Sequence, residues 1–105
     1  MRGAVVAAGA AVLLLAACER AQLSPEAERG RRVYVSQCTA CHAFEPSQPG
    51  PVGPEVKGAT RDLLEAKVLR GTYPPGHRPK RPTSVMPPQT HLVGDIDALA
   101  AYLKN

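Results

Sequence analysis

Cys38-Thr39-Ala40-Cys41-His42 is the stretch that decides the fold. Two thiols three positions apart stand about one helical turn apart, a spacing that lets both add to the two vinyl groups of one haem. The adjacent histidine then lies where a ring nitrogen can ligate the iron. Sulfur supplies two thioether bonds and imidazole supplies an axial bond, so each residue type has its own chemical task. A bare C-x-x-C also occurs in thioredoxin-like redox pairs, but those sit in a strand-helix pattern that is absent here. A structural zinc site needs four ligands, usually with a second pair at similar spacing. The only other cysteine is Cys18, and His77 and His91 lie too far apart to form such a pair. The pattern therefore predicts one covalently attached haem c.

Working outward from the motif, the chain reads as an all-α domain of three helices between loops rich in proline and glycine. Ser24-Pro25-Glu26-Ala27-Glu28 is a helix start, with serine as N-cap, proline at the first position and acids in the first turn. That helix is expected to run to about Gln37 and deliver Cys38. Gly30, Val33, Tyr34 and Gln37 share a stripe by three-and-four spacing, and Gly30 offers a point of close helix crossing. Residues 44–58 hold four prolines and three glycines and predict a loop. Thr60 caps an expected second helix, 61–70, with Gly71 as its stop. Residues 71–88, with six prolines and the cations Arg78, Lys80 and Arg81, are again irregular. The last helix begins near Gly94 or Asp95, and Ile96, Leu99, Ala100, Tyr102 and Leu103 form a face able to meet the first.

The opening residues predict export. Met1-Arg2 forms a short positive region, residues 4–15 are apolar apart from glycine, and Leu15-Ala16-Ala17-Cys18 places small residues before a cysteine. The apolar run is too short to span a bilayer and matches a signal peptide. Its end resembles the bacterial lipobox, in which the cysteine is diacylated and becomes the mature N-terminus. An ordinary signal peptide cut elsewhere, for instance at Ala8-Gly9-Ala10, is the alternative. The expected division is residues 1–17 as lipoprotein signal peptide, 18–24 as a lipid-anchored leash and 25–105 as the haem domain. The expected location is periplasmic or on the outer side of the membrane. Export suits the haem, because c-type attachment in bacteria takes place outside the cytoplasmic membrane. Lipidation of Cys18 would leave no cysteine for a disulfide.

Removing 17 of 105 residues leaves 88, one small domain. Loss of Arg2 lowers the formal charge from +4 to +3, too mild to argue for nucleic acid. Phe44 and three tyrosines are the only aromatic residues, so a generous core cannot form from side chains alone. A buried haem supplies the missing apolar bulk, and without it the chain is expected to be poorly ordered.

Met86 is the second chemical residue. With the initiator removed it is the only methionine. Its thioether is a soft ligand that favours reduced iron. It lies 44 positions after His42, beside Pro87-Pro88, on a loop able to close over the opposite haem face. A core methionine is the competing reading. His77 and His91 are competing sixth ligands, each read as an exposed loop residue.

These features together resemble the class I c-type cytochromes, small monohaem proteins with the attachment motif near one end and methionine near the other. The resemblance covers residues 25–105. It rests on Gly30 and Tyr34, on Cys38, Cys41 and His42, on Gly53-Pro54-Glu55-Val56-Lys57-Gly58, on Met86-Pro87-Pro88 and on Ala101-Tyr102-Leu103. It implies a small cytochrome c fold, three main helices wrapped around one covalent haem. It also implies that the Pro54 carbonyl accepts a hydrogen bond from the second nitrogen of His42, which fixes the ring and raises its basicity. Val56 stands where the family usually has leucine, and residues 71–81 have no sharp counterpart.

The expected function is one-electron transfer rather than catalysis. With His42 and Met86 both bound, iron has no open position for a small-molecule substrate. Partners are then a redox donor and acceptor, with Arg78, Lys80 and Arg81 either forming a patch for acidic docking surfaces or lying in a merely solvated loop. Two other readings remain open. One is the cytochrome subunit of a periplasmic dehydrogenase, such as one oxidising sulfur compounds. The other is a haem sensor or peroxidase with a displaceable sixth ligand.

Overall fold

The computed structural model describes residues 22–105. The expected signal peptide, Cys18 and the first part of the expected leash lie outside the described residues. Three α-helices order the domain: α1, Pro25–Gln37; α2, Arg61–Leu64; and α3, Ile96–Leu103. No strand occurs among the described residues, so the domain is all-α, with a small cytochrome c architecture.

α1 starts where its sequence says it should. The Ser24 hydroxyl accepts from Ala27 N–H at 3.1 Å, Pro25 opens the helix, and Glu26 and Glu28 face the positive end of its dipole. Ala27, Gly30 and Tyr34 are its buried residues, whereas Gln37 is exposed and leaves the predicted stripe. α2 is capped by Thr60, whose hydroxyl accepts from Leu63 N–H at 3.2 Å. After Leu64 the backbone widens into a π-helical turn, Glu65–Leu69, so the predicted ten-residue helix is two windings in series. The wider turn buries Leu64, Ala66 and Val68 instead of a regular helical stripe. Gly71 ends it at a φ of 67°, as expected of a left-handed stop.

A 3₁₀ turn over Thr90–Leu92, not foreseen from sequence, precedes α3 and buries Leu92. Asp95 heads α3 without capping it. Its carboxylate pairs instead with Arg29 of α1 at 2.8 Å, fixing the start of α3 against α1. Main-chain contact between α1 and α3 is closest at Gly30. A methyl group there would overlap the Ala98 carbonyl, and Ala98 is fully buried. Tyr34 and Tyr102 meet beside this crossing with ring centres 5.7 Å apart. The core comprises Tyr34, Leu64, Val68, Leu92, Ile96, Leu99 and Leu103. Five of these seven also line the cavity described next, so the core is built facing it.

Candidate haem site

The thiol pair lies in the turn that follows α1. Cys38 N–H donates to the Tyr34 carbonyl at 2.9 Å, and His42 N–H donates to the Cys38 carbonyl at 2.9 Å. These bonds carry helical winding through the motif and keep Cys38 and Cys41 about one turn apart. Cys38 is half-buried and Cys41 exposed. Burial pushes the Cys38 thiol up to about 11.

The following loop folds back on this turn. The Cys41 carbonyl accepts from Gly53 N–H at 2.8 Å and from Val52 N–H at 3.1 Å. Gly53 thereby lies against the His42 ring: a Cβ there would sit 2.6 Å from Nδ1 and 2.7 Å from Nε2. Only a residue without a side chain fits. His42 Nδ1 bonds the Pro54 carbonyl at 2.8 Å, the contact implied by the resemblance. A carbonyl only accepts, so Nδ1 carries the proton and Nε2 keeps a lone pair. Above the motif, the Tyr34 hydroxyl donates to the Ala43 carbonyl at 2.5 Å, and burial pushes this phenol up to about 12. It anchors the segment after His42 to α1.

Cys38, Cys41, His42, Pro54 and Met86 all line one cavity of about 490 Å³, within the range of cofactor-sized sites. Its walls include Leu64, Val68, Leu99 and Leu103. Met86 enters from the loop over residues 71–88 and packs on the core edge rather than within it. His91 does not line the cavity: it is exposed and bonds Gln37 at 3.0 Å. His77 departs from the sequence expectation. It is half-buried, lines the cavity and stacks on Tyr73 with ring centres 5.1 Å apart. Lys67 stands over the Tyr73 ring, its ammonium 4.5 Å from the ring centre.

The basic trio divides. Lys80 donates to the Glu55 carbonyl at 3.0 Å and pairs with its carboxylate at 3.3 Å. Arg81 donates to the Val52 carbonyl at 2.5 Å and to that of Gly50 at 3.3 Å. Glu55's own backbone N–H, and then the Lys80 ammonium, hold its carboxyl below the usual range. Arg78 is exposed and forms no ion pair among the described residues. Sequence reasoning missed the Gly53 cradle, the Lys67-Tyr73-His77 stack and the attachment of Lys80 and Arg81 to the 50–55 loop. A glycine directly before the proline of Gly53-Pro54 was the one available signal for the first.

The donor set fits a covalently held haem: two thiols, an imidazole with one nitrogen already engaged, and a thioether, around a cavity walled by aliphatic side chains. Residues 25–103 match the model of the family described as cytochrome C oxidase, cbb3-type, subunit III. Comparison with curated proteins and with solved structures found no match. Cytochrome c domains carry covalently bound haem c, are typically exported, and transfer electrons rather than act as enzymes by themselves. Among the described residues no helix is long and apolar enough to cross a membrane. The match spans most of the chain and covers the motif, the histidine loop and the Met86 loop, and the chain belongs to this family of small c-type cytochrome domains.

Proposed function

We propose that the chain is a monohaem one-electron carrier, with thioether bonds from Cys38 and Cys41 and axial ligands from His42 and Met86. The haem, when bound, supplies an iron that gains and loses one electron. The observation that carries this reading is that these four side chains line one cavity while His42 Nδ1 is engaged by Pro54. Pro54 holds the imidazole in the tautomer that offers Nε2, and Gly53 lets the loop press on the ring. Leu64, Val68, Leu99 and Leu103 exclude water from the cavity wall. A low-dielectric wall disfavours added charge on the oxidised centre, and a thioether does the same, so both push the potential upward. The test is acidified-acetone extraction followed by carbon monoxide titration of the reduced protein. Haem is expected to stay with the polypeptide, and only Met86→Ala is expected to bind carbon monoxide readily. Haem that extracts freely from the unmodified protein sinks the attachment.

Residues 1–17 act as a lipoprotein signal peptide in this reading, and 18–24 form a leash from a diacylated Cys18 to the domain at 25–105. The membrane anchor keeps the haem near membrane-bound donors and acceptors. Arg78 remains available for an acidic partner surface, since Lys80 and Arg81 are engaged within the chain.

A second reading is favoured by the family's description as an oxidase subunit. The domain would then receive or deliver electrons inside a stable oxidoreductase complex, whether an oxidase or a periplasmic dehydrogenase. Co-purification with a larger subunit under mild detergent supports it, and isolation as a lone polypeptide supports the free carrier.

A further inference from the structure

The loop over residues 71–88 carries Met86 but has no repeating structure of its own. Main-chain bonds fix its two ends: Thr72 N–H donates to Ala66 at 3.1 Å, and Gln89 N–H donates to Val68 at 2.6 Å. Between them, among the described residues, two adjacent side chains supply its hydrogen bonds to the rest of the chain. Lys80 reaches Glu55, and Arg81 reaches Val52 and Gly50. Those three acceptors bracket Gly53-Pro54, on which the His42 ring rests. The loop that bears Met86 is thus joined to the loop on which the His42 ring rests.

We infer that Arg81, assisted by Lys80, is a positioning residue that holds the Met86 loop closed against the 50–55 loop under His42, and so sets how often the sixth iron position opens. The inference rests on the Met86 assignment proposed above. A loop of this length closes at an entropic cost, and its prolines stiffen it without fixing where it lies. The planar guanidinium suits the task, because its rigid fork is pre-organised to bond two carbonyls of one loop. Both acceptors are neutral, so the Arg81 half of the clamp is insensitive to carboxylate protonation. Loosening the clamp lowers the effective concentration of the Met86 thioether at the iron. An external ligand reports that directly, since its apparent affinity scales with the fraction of open molecules. Val52 is exposed and Gly50 half-buried, so water can take the place of Arg81 at these carbonyls and the variant keeps its fold.

The experiment is carbon monoxide titration of reduced holoprotein for the unmodified chain, Arg81→Gln, Met86→Ala and the double variant. Arg81→Gln is expected to raise carbon monoxide affinity about three- to tenfold, the scale of losing partly exposed charge-assisted bonds. Met86→Ala and the double variant are expected to bind alike, because no methionine is left to displace. Arg81→Lys, which keeps the charge but loses the fork, is expected to lie between. Equal affinity in Arg81→Gln and the unmodified chain overturns the inference, and so does a rise that persists without Met86. Failure of the ligand assignment reads differently. The oxidised unmodified protein would then lack the weak long-wavelength band of sulfur-ligated haem, Met86→Ala would bind carbon monoxide no better, and the clamp would fall with it.

Discussion

The backbone of Gly30 lies against the carbonyl of Ala98, so α1 and α3 cross with no side chain between them. Asp95 and Arg29 pin the crossing from one side and the Tyr34–Tyr102 pair packs beside it. Everything that positions the motif follows from this contact, because Tyr34 and Cys38 lie one and two turns further along the same chain.

Gly30→Ala sets two effects against each other. Alanine favours the helical state by about 1 kcal/mol over glycine. The added methyl overlaps a main-chain carbonyl that cannot rotate away, and forcing two packed helices apart costs about 1–3 kcal/mol or more. The packing term wins, and the denaturation midpoint falls. Gly94→Ala is the control, since nothing lies within 4 Å of that position and its φ is ordinary; it is expected to change stability by less than about 0.5 kcal/mol. Equal midpoints for the two variants would show that the helices do not meet at Gly30.

Gly53→Ala tests the histidine cradle. The methyl displaces the His42 ring or drives the loop outward, and either movement breaks the bond to Pro54. Loss of such an outer partner weakens metal binding about 10–100-fold in other sites. The expected outcome is less haem per chain on maturation and, because an imidazole without its Pro54 partner is a weaker donor to oxidised iron, a raised potential in the fraction that matures. Full haem content with an unchanged potential would mean that the ring does not depend on the cradle.

Much of this was legible in the chain, for identifiable reasons. Ser24-Pro25, Thr60 and Gly71 are local signals whose physics needs no tertiary context, and each terminates a helix where expected. Cys38, Cys41, His42, Pro54 and Met86 were named from spacing and resemblance, and one cavity gathers all five. The π turn at 65–69 was not legible, because no residue propensity marks it; Ala66 and Val68 are the residues it buries. The fate of Lys80 and Arg81 was equally hidden. A basic run in a proline-rich loop reads as solvated until the fold brings the Val52 and Gly50 carbonyls within reach. Gln37 follows the helical period yet is exposed, at the edge of the cavity, where its side chain bonds His91 instead of packing in the core.

Tyr34 makes alkaline stability a readout of the site. Its phenol ordinarily ionises near pH 10, whereas in the folded chain burial raises this to about 12. Between those values the unfolded chain has lost a proton that the folded chain keeps. Stability is therefore whole below about pH 10 and declines as pH rises through about 12, by roughly 1–2 kcal/mol from this group. Tyr34→Phe loses the bond to Ala43, costing about 0.5–1.5 kcal/mol at neutral pH. It also flattens this part of the alkaline decline. Denaturant titrations of both proteins between neutral pH and pH 12 give the comparison, and parallel curves would rule out the assignment.

Cys18 separates anchoring from electron transfer. Among the described residues, the helices, the core and the cavity form one packed unit over residues 24–105. Cys18→Ser is expected to block acylation while the haem spectrum and the stability of the domain stay those of the unmodified protein. A chain starting at Gln22 behind a cleavable signal is expected to be a haem-loaded cytochrome recovered in the soluble fraction. Two acyl chains give stable membrane attachment where one is marginal. In the proposed lipid-anchored form, the short leash would raise encounter frequency with membrane-bound partners without altering the docking surface itself. Electron transfer to a membrane-bound partner should therefore slow in Cys18→Ser, while transfer to a small soluble oxidant stays unchanged. Membrane fractionation with mass analysis of the mature N-terminus checks the anchor directly. Recovery of the unmodified protein in the soluble fraction, with an N-terminus elsewhere than a lipidated Cys18, would leave a soluble exported carrier in its place.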